Sequence, residues 1–230
     1  MIAIVAFMAP TASQVLADVQ AHYATVTDLT LDFEQKVTNI TFGATKTSEG
    51  TLFLQKPNRF RLDYVKRGKL DKEFIYDGST LWIVEHQNLS ILKNTAPNAA
   101  LPAVGSFLTN GNLAATYDVA LSGNTLALTP KQPDTALTKL ELVVDLTTSE
   151  VTASIVTDPS GNTNDFAFKS SKAAKISATR FVFSPSSQPG YKLTNISPPT
   201  SAHGSSGTPA PPPTPMPTPA PAPTPAKHTP

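Results

Sequence analysis

From Leu29 to Val37 the chain reads in steps of two: Leu29, Leu31, Phe33, Gln35 and Val37 alternate with Thr30, Asp32, Glu34 and Lys36. Alternation of this kind puts one set of side chains on each face of a β-strand, and a helix cannot bury it on one side. The same period returns in Leu52 and Leu54 ahead of Lys56-Pro57, and again in Phe60, Leu62 and Tyr64 set against Arg59, Arg61 and Asp63. Phe74 and Tyr76 lead through Asp77-Gly78 into Leu81-Trp82-Ile83-Val84. Asp-Gly between two apolar runs is a strong hairpin signal. Short strands are also expected at 89–92, 119–121, 125–129, 137–145, 151–157, 165–169 and 180–183, with Asp158-Pro159-Ser160-Gly161 forming a turn. About ten strands at hairpin spacing predict one strongly curved antiparallel sheet, a mainly β fold.

Helical periodicity is confined to two places. Over residues 13 to 26, Val15, Leu16, Val19, Tyr23 and Val26 share one face of a 3.6-residue helix. Thr11 or Ser13 supplies an N-cap oxygen, and Thr11 with Gln14 has the spacing of a capping box. Over residues 96 to 117 the strand rhythm breaks. There Leu101, Val104, Phe107 and Leu108 sit at helical spacing, interrupted by Pro102, Gly105, Asn110 and Gly111, which predicts one or two short helices. The long helix must bury its stripe, and the concave side of a curved sheet is the obvious place.

The two ends of the chain differ from this body. Residues 2 to 9 are an apolar run followed by Pro10-Thr11-Ala12-Ser13, resembling the core and cleavage zone of a secretory signal peptide. Residues 1–12 are therefore expected to be a leader remnant and the protein to be exported. The competing reading makes them a buried first turn of the helix. Of the 22 prolines, those at or after Pro198 alternate with Ala and Thr, and Lys227 is the only charge there. Proline fixes φ and removes backbone donors, so 198–230 is expected to be a disordered, polyproline-like tail outside a folded body spanning 13–197.

Composition then narrows the chemistry. A formal charge of +1 argues against a nucleic-acid binder, and zero cysteines exclude a disulfide framework, a thiol nucleophile and a lipid-modified N-terminal cysteine. The body holds only His22 and His86, and no His-Glu-x-x-His, G-x-S-x-G, Walker or G-x-G-x-x-G pattern occurs. Carboxylates are spread along strand faces instead of being paired in apolar surroundings. A binding protein without metal or cofactor is favoured over an enzyme. One basic concentration stands out: Lys56, Arg59, Arg61, Lys66, Arg67, Lys69 and Lys72. It reads as a docking face for acidic groups or, with Asp63, Asp71 and Glu73 interspersed, as the solvated side of a hairpin.

Three blocks together carry a family resemblance: Phe33-Glu-Gln-Lys-Val37, the run from Gly50 through Lys56-Pro57-Asn58-Arg59-Phe60 to Tyr64, and Tyr76-Asp-Gly-Ser-Thr-Leu-Trp-Ile83. With Arg180-Phe-Val-Phe-Ser-Pro185 and Gly190, they resemble the LolA family of periplasmic carriers of outer-membrane lipoproteins over roughly residues 14 to 196. The resemblance implies a half-open β-barrel with a helical lid over a hydrophobic cavity. It further implies a monomer in the periplasm that receives acylated lipoproteins from an inner-membrane ABC transporter and hands them to an outer-membrane receptor.

On that basis the acyl-chain cavity is assigned to Phe33, Leu52, Leu54, Phe60, Leu62, Tyr64 and Trp82, although Leu81 and Ile83 compete with Trp82 for the inward side. The lid is assigned to Val15, Leu16, Val19 and Tyr23, with Leu101, Val104, Phe107 and Leu108 as a second piece. Ordinary core packing uses the same residue types. The family typically places an Arg before the proline, where it hydrogen-bonds the lid. Here that position is Lys56, which keeps the charge and loses the planar fork. A carrier of other lipids or glycolipids, and a periplasmic ligand-sensing or scaffold protein, are the alternative functions.

Overall fold

The computed structural model describes residues 9–95, 108 and 112–196. The chain separates into units of residues 1–198 and 199–230, and all the described residues lie in the first. Helix α1 (Ala12–Ala24) starts where the sequence places its cap: Thr11 Oγ1 accepts from the Gln14 N–H at 3.3 Å. Val15, Leu16, Val19 and Tyr23 are its buried stripe.

Twelve strands follow: β1 (Asp28–Asn39), β2 (Ala44–Gln55), β3 (Arg59–Lys66), β4 (Lys69–Tyr76), β5 (Leu81–Glu85), β6 (Ser90–Asn94), β7 (Tyr117–Ser122), β8 (Thr125–Pro130), β9 (Lys139–Val144), β10 (Val151–Thr157), β11 (Thr163–Lys172) and β12 (Lys192–Ile196). A one-turn helix, α2 (Leu113–Thr116), precedes β7. All twelve strands join one open, curved sheet in the order β12-β6-β5-β4-β3-β2-β1-β11-β10-β9-β8-β7. Two hairpin meanders therefore meet at the β1–β11 pair. Register shifts at Asp32/Phe33, Tyr64/Val65 and Val151/Ala153 mark bulges, which bend a sheet and increase its twist.

Local chemistry sets the turns. Asp77 Oδ1 accepts from the Ser79 and Thr80 N–H groups, both at 2.8 Å, closing the β4–β5 turn. The β3–β4 hairpin turns on Arg67 and Gly68, both at positive φ, the geometry that matches strand twist. Gly50 is required for a different reason. A Cβ there would stand 2.2 Å from the Asp63 carbonyl oxygen and 2.9 Å from the Phe33 ring, so the missing side chain is what lets β1, β2 and β3 coil together.

The sheet departs from the sequence expectation near the C-terminus. Arg180–Phe183 is not a strand: Ala178–Phe181 forms a 3₁₀ turn in a segment that runs back along the convex side of β2–β6. It is tied there by Gln55 Nε2 donating to the Ile176 carbonyl at 3.0 Å and by Arg61 Nη1 donating to the Arg180 carbonyl at 3.2 Å. The segment ends as β12, which pairs parallel to β6, the one parallel pair among the described strands. Its residues are all exposed and lack the buried alternation by which the other strands are read. Leu89, expected in a strand, sits instead in the β5–β6 turn at φ 48°.

Candidate functional site

The alternating residues of β1 to β3 converge on the concave face. Leu29, Leu31, Phe33, Leu52, Leu54, Phe60 and Leu62 are all buried there, in one cluster with Val15, Leu16, Val19 and Tyr23 of α1. Tyr64 packs against the same cluster, with its ring 5.3 Å from Phe33 and 6.0 Å from Phe74. Leu108 is buried in it as well, whereas Leu101, Val104 and Phe107 lie outside the described residues.

Trp82 does not join them, and its assignment to the cavity wall is corrected. It is buried on the convex side with Ile75, Val84 and Ile91, and its ring stands 5.3 Å from Phe183. The cause is register: Trp82 pairs with Ile75, whose neighbour Phe74 is the concave residue. Strand parity therefore turns Leu81 inward, where it packs on the concave cluster.

The sequence reading named a wall from only half of the sheet. Leu126, Leu128, Leu140, Leu142, Val144 and Phe166, from β8, β9 and β11, complete it. The i, i+2 spacing of Leu126/Leu128 and Leu140/Leu142/Val144 was the available signal, but alternation does not say which strands face one another across a concavity.

Among the described residues, the Tyr23 hydroxyl and Lys56 help to hold α1 over this wall. The Tyr23 hydroxyl accepts from the Val151 N–H at 3.0 Å, and burial pushes its phenol pKa up to about 12. Lys56 Nζ donates to the Tyr23 carbonyl in the last turn of α1, where a cation also complements the helix dipole. The Lys56 N–H is itself held by the Thr27 carbonyl at 2.8 Å, and the peptide to Pro57 is cis. Burial pulls the Lys56 ammonium below the ordinary lysine range. The cation thus accepts a desolvation cost to reach the helix end.

The concave face changes character along the strands. Near Lys56 it is wholly aliphatic and aromatic. Towards the β1–β2 and β3–β4 turns it becomes Gln35, Val37, Lys46, Tyr64, Lys66 and Phe74, which line a concavity of about 310 Å³. Burial pushes the Tyr64 phenol up to about 12.

The convex face carries the other polar network. Glu73, only 4% exposed, receives Arg61 Nη2 at 2.7 Å and His86 Nε2 at 2.9 Å, while His86 Nδ1 meets the Tyr191 hydroxyl at 2.8 Å. Each partner of Glu73 is engaged elsewhere, Arg61 with Asp63 at 2.6 Å and His86 with Tyr191. The network fastens the C-terminal segment to the sheet. Among the described residues no group of three or more His, Cys, Asp or Glu is placed to hold a metal ion.

The fold is an open curved sheet whose apolar concave face is covered by a helix, with a polar network on the opposite face. The chain belongs to the LolA family: the model described as "Outer membrane lipoprotein carrier protein LolA" matches residues 24–184. Two similar curated proteins are both described as outer-membrane lipoprotein carrier proteins. The one from Erwinia tasmaniensis is 28% identical over 175 residues, covering 73% of this chain and 82% of the relative. The one from Chromobacterium violaceum is 28% identical over 185 residues, covering 77% and 86%. Among solved structures, an uncharacterized conserved protein from Thermus thermophilus is similar with a TM-score of 0.50 and 12% identity, over 80% of this chain and 99% of that one; it bears on the fold alone.

Proposed function

We propose that this chain carries lipoproteins through the periplasm, holding their acyl chains against the concave face after release from an inner-membrane ABC transporter and delivering them to an outer-membrane receptor. The carrier role belongs to the family, and the match over residues 24–184 brings it to this chain. The observation that best supports the cargo class is the continuous apolar wall of β1–β3 and β8–β11 beneath a helix fastened at its C-terminal end by Lys56 and Tyr23.

The energetics are of a workable size. Displacing α1 exposes four buried side chains at about 2 kcal/mol each, roughly 8 kcal/mol in all. Buried methylenes return about 0.8 kcal/mol each, so some ten of them repay the opening, and a multiply acylated cargo carries many more. A surplus of that kind leaves room for a graded series of affinities, in which each 1.4 kcal/mol biases a handover tenfold.

The test is release of lipoproteins from spheroplasts into soluble complex, with the bound ligand identified by native mass spectrometry. Wild-type chain is expected to carry acylated polypeptide. Phe60→Glu, which puts a charge on the concave wall, is expected to lose at least nine-tenths of loading while retaining its far-ultraviolet spectrum. Trp82→Leu, on the convex side, is expected to load as wild type. If no lipoprotein leaves the membrane in soluble form, the reading is rejected; free diacyl lipid in the complex would assign the chain to lipid carriage instead.

A further inference from the structure

The residues that carriage leaves without a role gather at one end of the sheet. Strand register places the β1–β2, β3–β4, β5–β6 and β10–β11 turns together at the end remote from Lys56. There Phe42 is 81% exposed, Ile40 57%, Leu89 51% and Leu70 38%. Single exposed apolar residues are ordinary, but several at one end of a sheet call for a partner.

The most exposed of these is held in place. The Phe42 N–H donates to Asn39 Oδ1 and the Ile40 N–H to Asn162 Oδ1, both at 3.0 Å. Ile40 also lies over Gly161, where a Cβ would stand 2.9 Å from its Cδ1. The Phe42 ring is thus presented on an ordered hairpin, so little further entropy is lost when it inserts.

Cations lie at the same end, Lys46 on the Phe42 hairpin and Lys66, Arg67 and Lys69 on the β3–β4 hairpin beside it. Lys46, Lys66, Arg67 and Lys69 make no ion pair among the described residues, whereas Lys72 is engaged with Glu85 at 2.7 Å. Carboxylates stand at this end as well: Asp71 accepts from Gln87 at 2.6 Å, Asp158 accepts from the N–H groups of Ser160 and Asn162, and Glu49 and Asp165 lie opposite Val65 and Lys36. The β3–β4 turn is locally basic, with Lys66, Arg67 and Lys69 in four consecutive residues.

We propose that this end of the sheet docks on an anionic lipid bilayer, with Phe42 and Ile40 at the acyl boundary and the basic side chains among the phosphates. Flexible lysines around a protruding aromatic suit a fluid charged surface, because their stems reach along apolar matter while the ammonium groups stay in the headgroup layer. The concavity lined by Val37, Lys46, Tyr64, Lys66 and Phe74 lies between the two hairpins, so docking would bring the polar end of the concave face against the membrane. The inference needs no cargo and stands or falls separately from the carrier reading.

Co-sedimentation of the full chain with vesicles tests it. Wild type is expected to bind vesicles rich in phosphatidylglycerol, to ignore pure phosphatidylcholine, and to be released as salt rises from about 0.05 to about 0.5 M. Phe42→Ser should weaken binding about tenfold, and Lys66→Ser and Arg67→Ser about fivefold each. Phe42→Trp should show blue-shifted emission quenched by brominated lipid, above the steady signal of the buried Trp82. Three outcomes overturn the proposal: no binding to anionic vesicles at low salt, binding that Phe42→Ser leaves unchanged, or Phe42→Trp emission that vesicles do not alter. Capture of the same end by a purified periplasmic protein in the absence of vesicle binding would assign the surface to that protein.

Discussion

The two faces of the sheet are built from the same strands and hold by opposite means. On the concave face every inward position from Leu29 to Phe33, Leu52 to Leu54 and Phe60 to Leu62 is apolar, and α1 closes over them, hydrogen-bonded through Tyr23 to Lys56 and to Val151. On the convex face a small apolar patch of Ile75, Trp82, Val84 and Ile91 lies beside a buried carboxylate shared by an arginine and a histidine. Apolar contact is non-directional, so the first face holds its helix by buried area more than by fixed pairing. Charge-assisted hydrogen bonds fix partner and geometry, so the second face locks its covering segment in one position. Non-directional packing and directional pairing thus lie on opposite sides of one sheet.

Three experiments bear on that division, in falling order of expected effect. Phe33→Ala removes a ring packed 5.0 Å from Phe166 and 5.3 Å from Tyr64 and should cost about 4 kcal/mol in urea unfolding. The C-terminal segment should stay protected from protease below the transition.

Glu73→Ala takes away the buried acceptor shared by Arg61 and His86, which keep Asp63 and Tyr191, and losing two charge-assisted hydrogen bonds should cost about 3 kcal/mol. Here the more telling readout is early cleavage within residues 176–196. Equal protease resistance in the two variants would show that the convex network does not hold that segment.

The third experiment uses alkali. Tyr23 and Tyr64, both on the concave side, have folded pKa values raised from 10.0 to about 12 by burial. The unfolded chain therefore gives up these protons first. Their contribution is complete below pH 10 and is lost as pH rises towards 12, by roughly 2–3 kcal/mol for each tyrosine. Tyr64→Phe should flatten the stability profile between those limits without changing it at neutral pH. A profile identical to wild type would mean that the Tyr64 ring meets water more freely than its packing implies.

Much of this was legible beforehand. Alternation identified the strands of the first meander, and the Thr11 cap with the Val15-Leu16-Val19-Tyr23 stripe identified α1. The block from Gly50 to Tyr64 carried the family. Trp82 was harder, because Leu81-Trp82-Ile83-Val84 is apolar at every position, and a strand covered on both faces has no alternation from which to read parity. The same reason hid the function of Arg180–Phe183. Its apolar residues look like a strand, yet it serves as a cover across strands far away in sequence.

By itself the sequence determined period, caps, turns and membership of the LolA family, because each depends on neighbours a few residues apart or on a contiguous block. Tertiary structure alone decided that β1 pairs with β11, that Glu73 is buried between Arg61 and His86, that Lys56 reaches the end of α1, and that Phe42 projects from the same end of the sheet as the unpaired lysines. Each of these is a meeting of segments whose separation along the chain says nothing about their distance in space. Which face a strand shows, and what covers it, is settled only when the sheet has closed around its core.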